Sequence, residues 1–204
     1  PDPQQPLGIT SPWIFSIHED RKGQIWIGTK NGGLHLYDRE QDIFRNFTQK
    51  DGLPDNNIYG IQDDAKGNIW VSTGKGLSRV SFPDGSLLRP AIMNYNRHDG
   101  LLGGPFNVHA SYQDRQGMLY WGGLQGMHFF HPDSINDNPI TPKVALTGLR
   151  LFNRTMKVGA HSSLPKPISE TSSISLSHEH RVIGFEFAAL DYTAPMKQQY
   201  AYKL

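Results

Sequence analysis

Apolar residues fall in short clusters separated by Asp, Asn, Gly and Pro, and the clusters read as strands joined by tight turns. Residues 13–19 (WIFSIHE) are mostly apolar and suit a strand buried on both faces. Asp20-Arg21-Lys22-Gly23 reads as a turn, with Asp capping backbone N–H groups at its first position and Gly at its fourth. Residues 24–29 are expected as a second strand and 34–37 as a third, with Gly32-Gly33 supplying the positive φ of the hairpin between them. Residues 43–47 (IFRNF) form a fourth, more amphipathic strand. Four antiparallel strands in about 44 residues is the size of one β-propeller blade.

The pattern then repeats. GQIWIGTKNGGL at 23–34 returns 44 residues later as GNIWVSTGKGL at 67–77, and IHEDRKG at 17–23 returns as IQDDAKG at 61–67. Asp20, Gly23 and Trp26 thus recur as Asp64, Gly67 and Trp70. A weaker copy, YQDRQGMLYWGGLQGM at 112–127, keeps Asp114 and Gly117 but carries its Trp one position late, at Trp121. Blades are expected at about 13–50, 57–98 and 106–135, with the connector DGLP at 51–54 echoed by DGLL at 99–102. Residues that repeat in step with a fold are packing residues. In the second strand Ile25 and Ile27 face one side and Trp26 the other, as stacking between two neighbours requires, and an indole of about 150–250 Å² fills the gap between blades. Gly28 and its counterpart Ser72 stay small where the next sheet comes close.

Composition narrows the function classes. With 20 Lys and Arg against 19 Asp and Glu, and no stretch of five like charges, a nucleic-acid or anionic-membrane partner is disfavoured. No cysteine is present, so disulfides and thiolate metal sites are excluded, although the compartment is not fixed. No apolar run approaches the roughly 20 residues that cross a bilayer, and PDPQQPLGIT is not a signal peptide, so no membrane segment is expected in this chain.

Candidate chemistry is sparse, and no catalytic set, metal or cofactor is expected. His178-Glu179-His180 places two imidazoles on one side of a strand, but no third ligand can be named. Glu19-Asp20 and Asp63-Asp64 recur before Gly at fixed spacing, which marks turn capping rather than paired acid and base. DNNIYG and INDND lack the ligand spacing of a calcium loop. A propeller glycosidase or lyase is the enzyme-class alternative, yet no acid, base and nucleophile set is in place. If a ligand binds, propeller geometry favours the loops that lead into the innermost strands. The corresponding residues are Trp13 in the first copy, Asn56, Asn57 and Tyr59 in the second, and Phe106, Asn107 and His109 in the third. They combine aromatic faces with amide groups, as sugar recognition requires, though the same residue types also build turns.

IHEDRKGQIWIGTKNGGL at 17–34 resembles the two-component regulator propeller repeat, I-x-E-D-x-x-G-x-[IL]-W-[IV]-G-T-x-x-G-G-L, nearly throughout. The second copy matches with Asp63 for Glu and Ser72 for Gly, whereas the third departs at residues 120–123 and at Met127. From about Pro139 the character changes. PITPKVALTGLRLFN at 139–153, ISLSHEHRVIGFEFAALDYTAP at 174–195 and YAYKL at 200–204 resemble the start of a triple-tyrosine domain, with Tyr192, Tyr200 and Tyr202 at its tyrosine positions. The resemblance implies an all-β chain: a partial β-propeller of about three four-stranded antiparallel blades in 1–135, then a partial Ig-like β-sandwich in 139–204, cut at both ends. It further implies a periplasmic, non-catalytic sensor region of an inner-membrane hybrid histidine kinase or diguanylate cyclase. Such a receptor would act as a homodimer and respond to an oligosaccharide or other periplasmic ligand. A ligand-free interaction scaffold is the alternative of a different class.

Overall fold

The computed structural model describes residues 8–87, 89–135, 143–159, 162, 164–177 and 181–190. The expectations for His178, Glu179, His180, Tyr192, Tyr200 and Tyr202 lie outside the described residues. Two compact units divide the chain, residues 1–136 and 137–204.

Three antiparallel sheets make up the first unit. In the first, β1 (Ile14–Glu19), β2 (Ile25–Thr29), β3 (Leu34–Asp38) and β4 (Ile43–Phe47) pair in chain order. The second repeats this with β5 (Ile58–Asp63), β6 (Ile69–Thr73), β7 (Gly76–Ser81) and β8 (Ala91–Tyr95). The third holds β9 (Phe106–Gln113), β10 (Leu119–Gly123) and β11 (Gly126–Phe130), three strands among the described residues where the repeat predicts four. After Phe130 the chain enters a 3-10 turn at Pro132–Ser134, capped by the His131 side chain. His131 Nδ1 accepts the Asp133 N–H and Ser134 Oγ donates to the His131 carbonyl, which fixes a turn where the repeat predicts a fourth strand. Strands β1, β5 and β9 pack against one another, which makes them the innermost strands of their sheets.

Each turn after an innermost strand is the same device. One carboxylate oxygen of Asp20 accepts the Lys22 and Gln24 N–H groups, both at 2.9 Å. Asp64 does the same for Lys66 and Asn68, and Asp114 for Gln116 and Met118. Of the paired carboxylates of the sequence, Asp20 and Asp64 are the capping members, whereas Asp63 faces His18 and Arg21, and Glu19 lies 3.9 Å from Arg39. The other oxygen of Asp20 and of Asp64 accepts the indole N–H of Trp26 and Trp70, at 2.9 Å in both sheets. In the third sheet that bond comes from the Tyr120 hydroxyl, at 3.1 Å to Asp114. Tyr120, not Trp121, is thus the counterpart of Trp26 and Trp70. Trp121 pairs across to Ser111 as Ile27 pairs to Ile17 and Val71 to Ile61, so it stands at an aliphatic position.

The cores lie between sheets. Trp26, Leu34, Leu36 and Phe47 of the first sheet meet Ile58, Ile61, Ile69 and Val71 of the second. Trp70 and Leu77 meet Phe106, Leu119 and Trp121 of the third. Burying such side chains is worth about 1.5–3 kcal/mol each, so these two interfaces hold the unit together. Gly28 is where the first pair comes closest: a Cβ there would lie 2.8 Å from Ile58 Cγ2. The hairpin before β3 takes its positive φ at Asn31 and Gly33, rather than at Gly32.

The second unit is a three-stranded sheet among its described residues. β12 (Val144–Leu151) lies between β13 (Arg154–Thr155) and β14 (Ile183–Ala189). Leu149 and Leu151 pack on Leu164 and Ile168 of the intervening loop.

Candidate functional site

The two ends of the stacked sheets in the first unit differ in kind. At the end where the innermost strands finish, polar side chains join all three sheets. His18 Nε2 lies 2.9 Å from Asp63 Oδ1, Arg21 Nε lies 3.5 Å from Asp63 Oδ2, and Arg21 also donates to Gln113 Oε1 at 2.9 Å. Gln113 donates in turn to the Asp63 carbonyl at 2.8 Å. Asp63 is buried, and each of its carboxylate oxygens faces a partner. The whole group is engaged in holding neighbouring sheets together.

At the opposite end the lead-in loops before β1, β5 and β9 meet the hairpins between the second and third strands. Trp13 is 64% exposed there, and the Lys30 ammonium sits 5.6 Å above its ring. Thr10, Ser11, Pro12 and Asn31 join these two in lining a shallow cleft of about 370 Å³. Asn56 and Asn57 act instead as stitches. The Asn56 side-chain oxygen accepts the Gln49 N–H and its carbonyl accepts the Gly33 N–H, both at 2.9 Å, while Asn57 Oδ1 accepts the Asn31 N–H at 3.0 Å. Tyr59 stacks on Phe15 at 5.6 Å, and its hydroxyl pKa is raised by burial and by the nearby Asp55 charge.

The third lead-in loop is open. Its connector keeps the register of the first: Thr48 and Asn96 each cap a 3-10 turn, Gln49–Asp51 and Arg97–Asp99, and Gly52 and Gly100 follow in the left-handed region. Counting on from there, Asp55-Asn56-Asn57 corresponds to Gly103-Gly104-Pro105. The Asn56 and Asn57 side chains that stitch the first junction therefore have no counterpart at the second, where a cleft of about 340 Å³ stands. Lys75 of the β6–β7 hairpin and Arg97 and His98 of the connector line it, with Phe106 and Leu101 as its apolar part. A Cβ on Gly103 would lie 2.7 Å from Arg97 Cδ, so the glycine is what lets that side chain lie across the loop.

Phe106 is buried against the second core, 5.7 Å from the His128 ring, and only borders the cleft. Asn107 and His109 lie further on than the repeat predicts. Phe106 pairs with Gly123 but Ser111 with Trp121, so β9 bulges outward over residues 107–110, with His109 at φ +60°. Both are exposed on the innermost strand. The residues singled out in the sequence lie at or near this end of the sheets, where Lys30, Lys75, Arg97 and His98, not singled out there, line the clefts. The contrast between DGLPDNN and DGLLGGP was the signal that could have found the last three. No cluster of three or more His, Cys, Asp or Glu fit to hold a metal occurs among the described residues.

The described residues of the first unit are a stack of propeller-type sheets with clefts at the lead-in-loop end. Residues 8–31 and 52–75 match the two-component regulator propeller model, and these two segments are repeats of that kind. A curated relative, Histidine kinase P4 of Formosa agariphila, is 30% identical over 192 residues, which is 94% of this chain and 14% of that protein. Among solved structures, the extracellular domain of BT3049, assigned to a hybrid two component system of B. thetaiotaomicron, is 25% identical with a TM-score of 0.41, covering 91% of this chain and 31% of that one. The extracellular domain of BT4673 from the same organism, assigned to a one component system, is 16% identical with a TM-score of 0.39, covering 92% of this chain and 29% of that one. The chain thus spans less than a third of each of these proteins.

Proposed function

We propose that this chain is ligand-sensing sequence from the periplasmic region of a hybrid histidine kinase, and that the lead-in-loop end of its propeller sheets receives an oligosaccharide-type ligand. The observation that carries the reading is the division of labour between the two ends. One is sewn shut by His18, Asp63, Arg21 and Gln113, while the other displays an exposed indole under a lysine and two clefts of monosaccharide size. Aromatic faces beside amide and cationic donors are what a sugar ring uses, C–H groups on the ring and hydroxyls on the donors. In the parent receptor, a dimer, the bound ligand would favour one packing of the ectodomains over another, and the difference in affinity would set the size of the signal.

Calorimetric titration of the chain against a panel of oligosaccharides tests the first step. Binding that is weakened by Trp13→Ala, with the melting temperature unchanged, is the expected result. A receptor that signals to a sugar its propeller end does not bind would overturn it.

A further inference from the structure

We propose that the cleft between the second and third sheets is an anion subsite, which takes the carboxylate or sulfate of an acidic sugar. The inference deepens the reading above and rests on it, because it assumes that the lead-in-loop end is the ligand face.

Three observations point the same way. The cleft is lined by Lys75, Arg97 and His98 and by no acidic side chain. Asp99, the nearest carboxylate in sequence, belongs to the connector's own cap, where Oδ2 accepts the Asn96 N–H at 2.9 Å. Lys75, Arg97 and His98 make no ion pair with any described carboxylate, and all three are exposed, so their side chains are available to a ligand. Several other cations of this unit are paired instead. Arg21 is committed to Asp63, Arg45 to Asp38 and Lys66 to Asp133.

The second observation is how the space arises. At the first junction the same loop positions carry Asp55, Asn56 and Asn57, of which Asn56 is bonded to Gln49 and Asn57 to Asn31, while Asp55 accepts from Asn57. Gly103 and Gly104 take positive φ, +89° and +77°, and present no side chain, so the hairpin and the connector stay apart. The third is the shape. About 340 Å³ suits one sugar ring, with Leu101 and Phe106 as an apolar wall and the guanidinium able to grip a carboxylate or sulfate with two parallel N–H groups. A neutral ring would gain the wall but not the charge-assisted bonds.

The test uses this chain and three probes: digalacturonate, a disaccharide of galactose 6-sulfate, and maltose. At low salt the wild type is expected to bind one or both charged probes more tightly than maltose, with affinity falling as salt is added. The double variant Lys75→Gln with Arg97→Gln changes only exposed side chains. It should weaken the charged probes by about tenfold or more and leave maltose and the melting temperature alone. Preference for digalacturonate assigns the anion to a carboxylate, and preference for the sulfated probe assigns it to a sulfate. Unchanged affinity for both charged probes in the double variant overturns the proposal. So does a wild type that binds maltose, sensitive to Trp13→Ala, and neither charged probe; that result would leave the sugar-sensing reading standing.

Discussion

The first and third sheets are two copies of one unit, and they differ in how a single aromatic position is used. In the first, Trp26 does two jobs: its ring packs on Phe47 and Phe82 between sheets, and its N–H satisfies the turn carboxylate of Asp20. In the third, the jobs are divided. Tyr120 satisfies Asp114 from a half-exposed position, while Trp121, one residue on and fully buried, supplies bulk to the second core with its N–H unpaired. The turn is thus the invariant part of the repeat and the inter-sheet filling is negotiable. A carboxylate that caps two backbone N–H groups needs one more donor, and any residue six positions on with a hydroxyl or an indole provides it.

The sharpest way to break this comparison is to remove the rings. Trp26→Ala empties the middle of the first inter-sheet core and strands Asp20, so a loss of about 3–5 kcal/mol is expected in urea denaturation. Tyr120→Ala takes away a partly exposed ring that packs beside Tyr112 and Phe129, and should cost distinctly less. Equal losses would show that the two positions are equivalent in packing as well as in the turn.

A second contrast lies one strand away. His35 and His128 occupy the same register position, opposite Ile27 and Trp121 respectively. His35 is fully buried, and burial lowers its pKa to about 4, with hydrogen bonding to the Ile27 and Gly33 backbone acting in the opposite direction. Burial also lowers the pKa of His128, which is half-buried. A depressed histidine means that the folded state resists protonation. Above the unfolded value of about 6.5 both states are neutral and stability is full; as pH falls from there to about 4 the unfolded state gains a proton first and stability is lost. For His35 the loss comes to about 3 kcal/mol by pH 4, and His35→Gln should flatten that part of the stability–pH curve. His128→Gln should flatten it less. A curve unchanged by His35→Gln would mean that another buried group governs the acid response.

How much of this was legible in the sequence follows from what each residue does locally. The Asp-to-Gly turn is a local structure, fixed by one carboxylate and one left-handed glycine, so Asp20, Asp64 and Asp114 could be placed by inspection, and with them the strands on either side. The substitution of Tyr120 for the indole was hidden because Trp121 looks like the repeat's Trp displaced by one. Only the cross-strand register shows that it stands at an aliphatic position. The lead-in loops were legible as a place but not as chemistry. The bulge at residues 107–110 shifts Asn107 and His109 onto the innermost strand, and the cleft depends on glycines, which signal only by what they lack.

The finest test separates the two jobs by changing Trp to Phe at three positions. Trp26→Phe leaves one oxygen of a buried carboxylate with no other partner, a loss of about 1–3 kcal/mol. Trp70→Phe should cost less, because the same oxygen of Asp64 keeps the Asn68 side-chain amide at 2.8 Å. At Trp121 two effects oppose each other. Shrinking the ring leaves a small cavity worth about 1 kcal/mol, while removing an unpaired buried N–H relieves about 1–3 kcal/mol. Trp121→Phe is therefore expected to lie between no change and a gain of about 2 kcal/mol relative to the parent chain, in urea midpoints compared at equal slope. If Trp121→Phe instead matched Trp26→Phe, the buried indole N–H of the third sheet would have to be satisfied, by an internal water for example. The division of the aromatic's two jobs between Tyr120 and Trp121 would then be wrong.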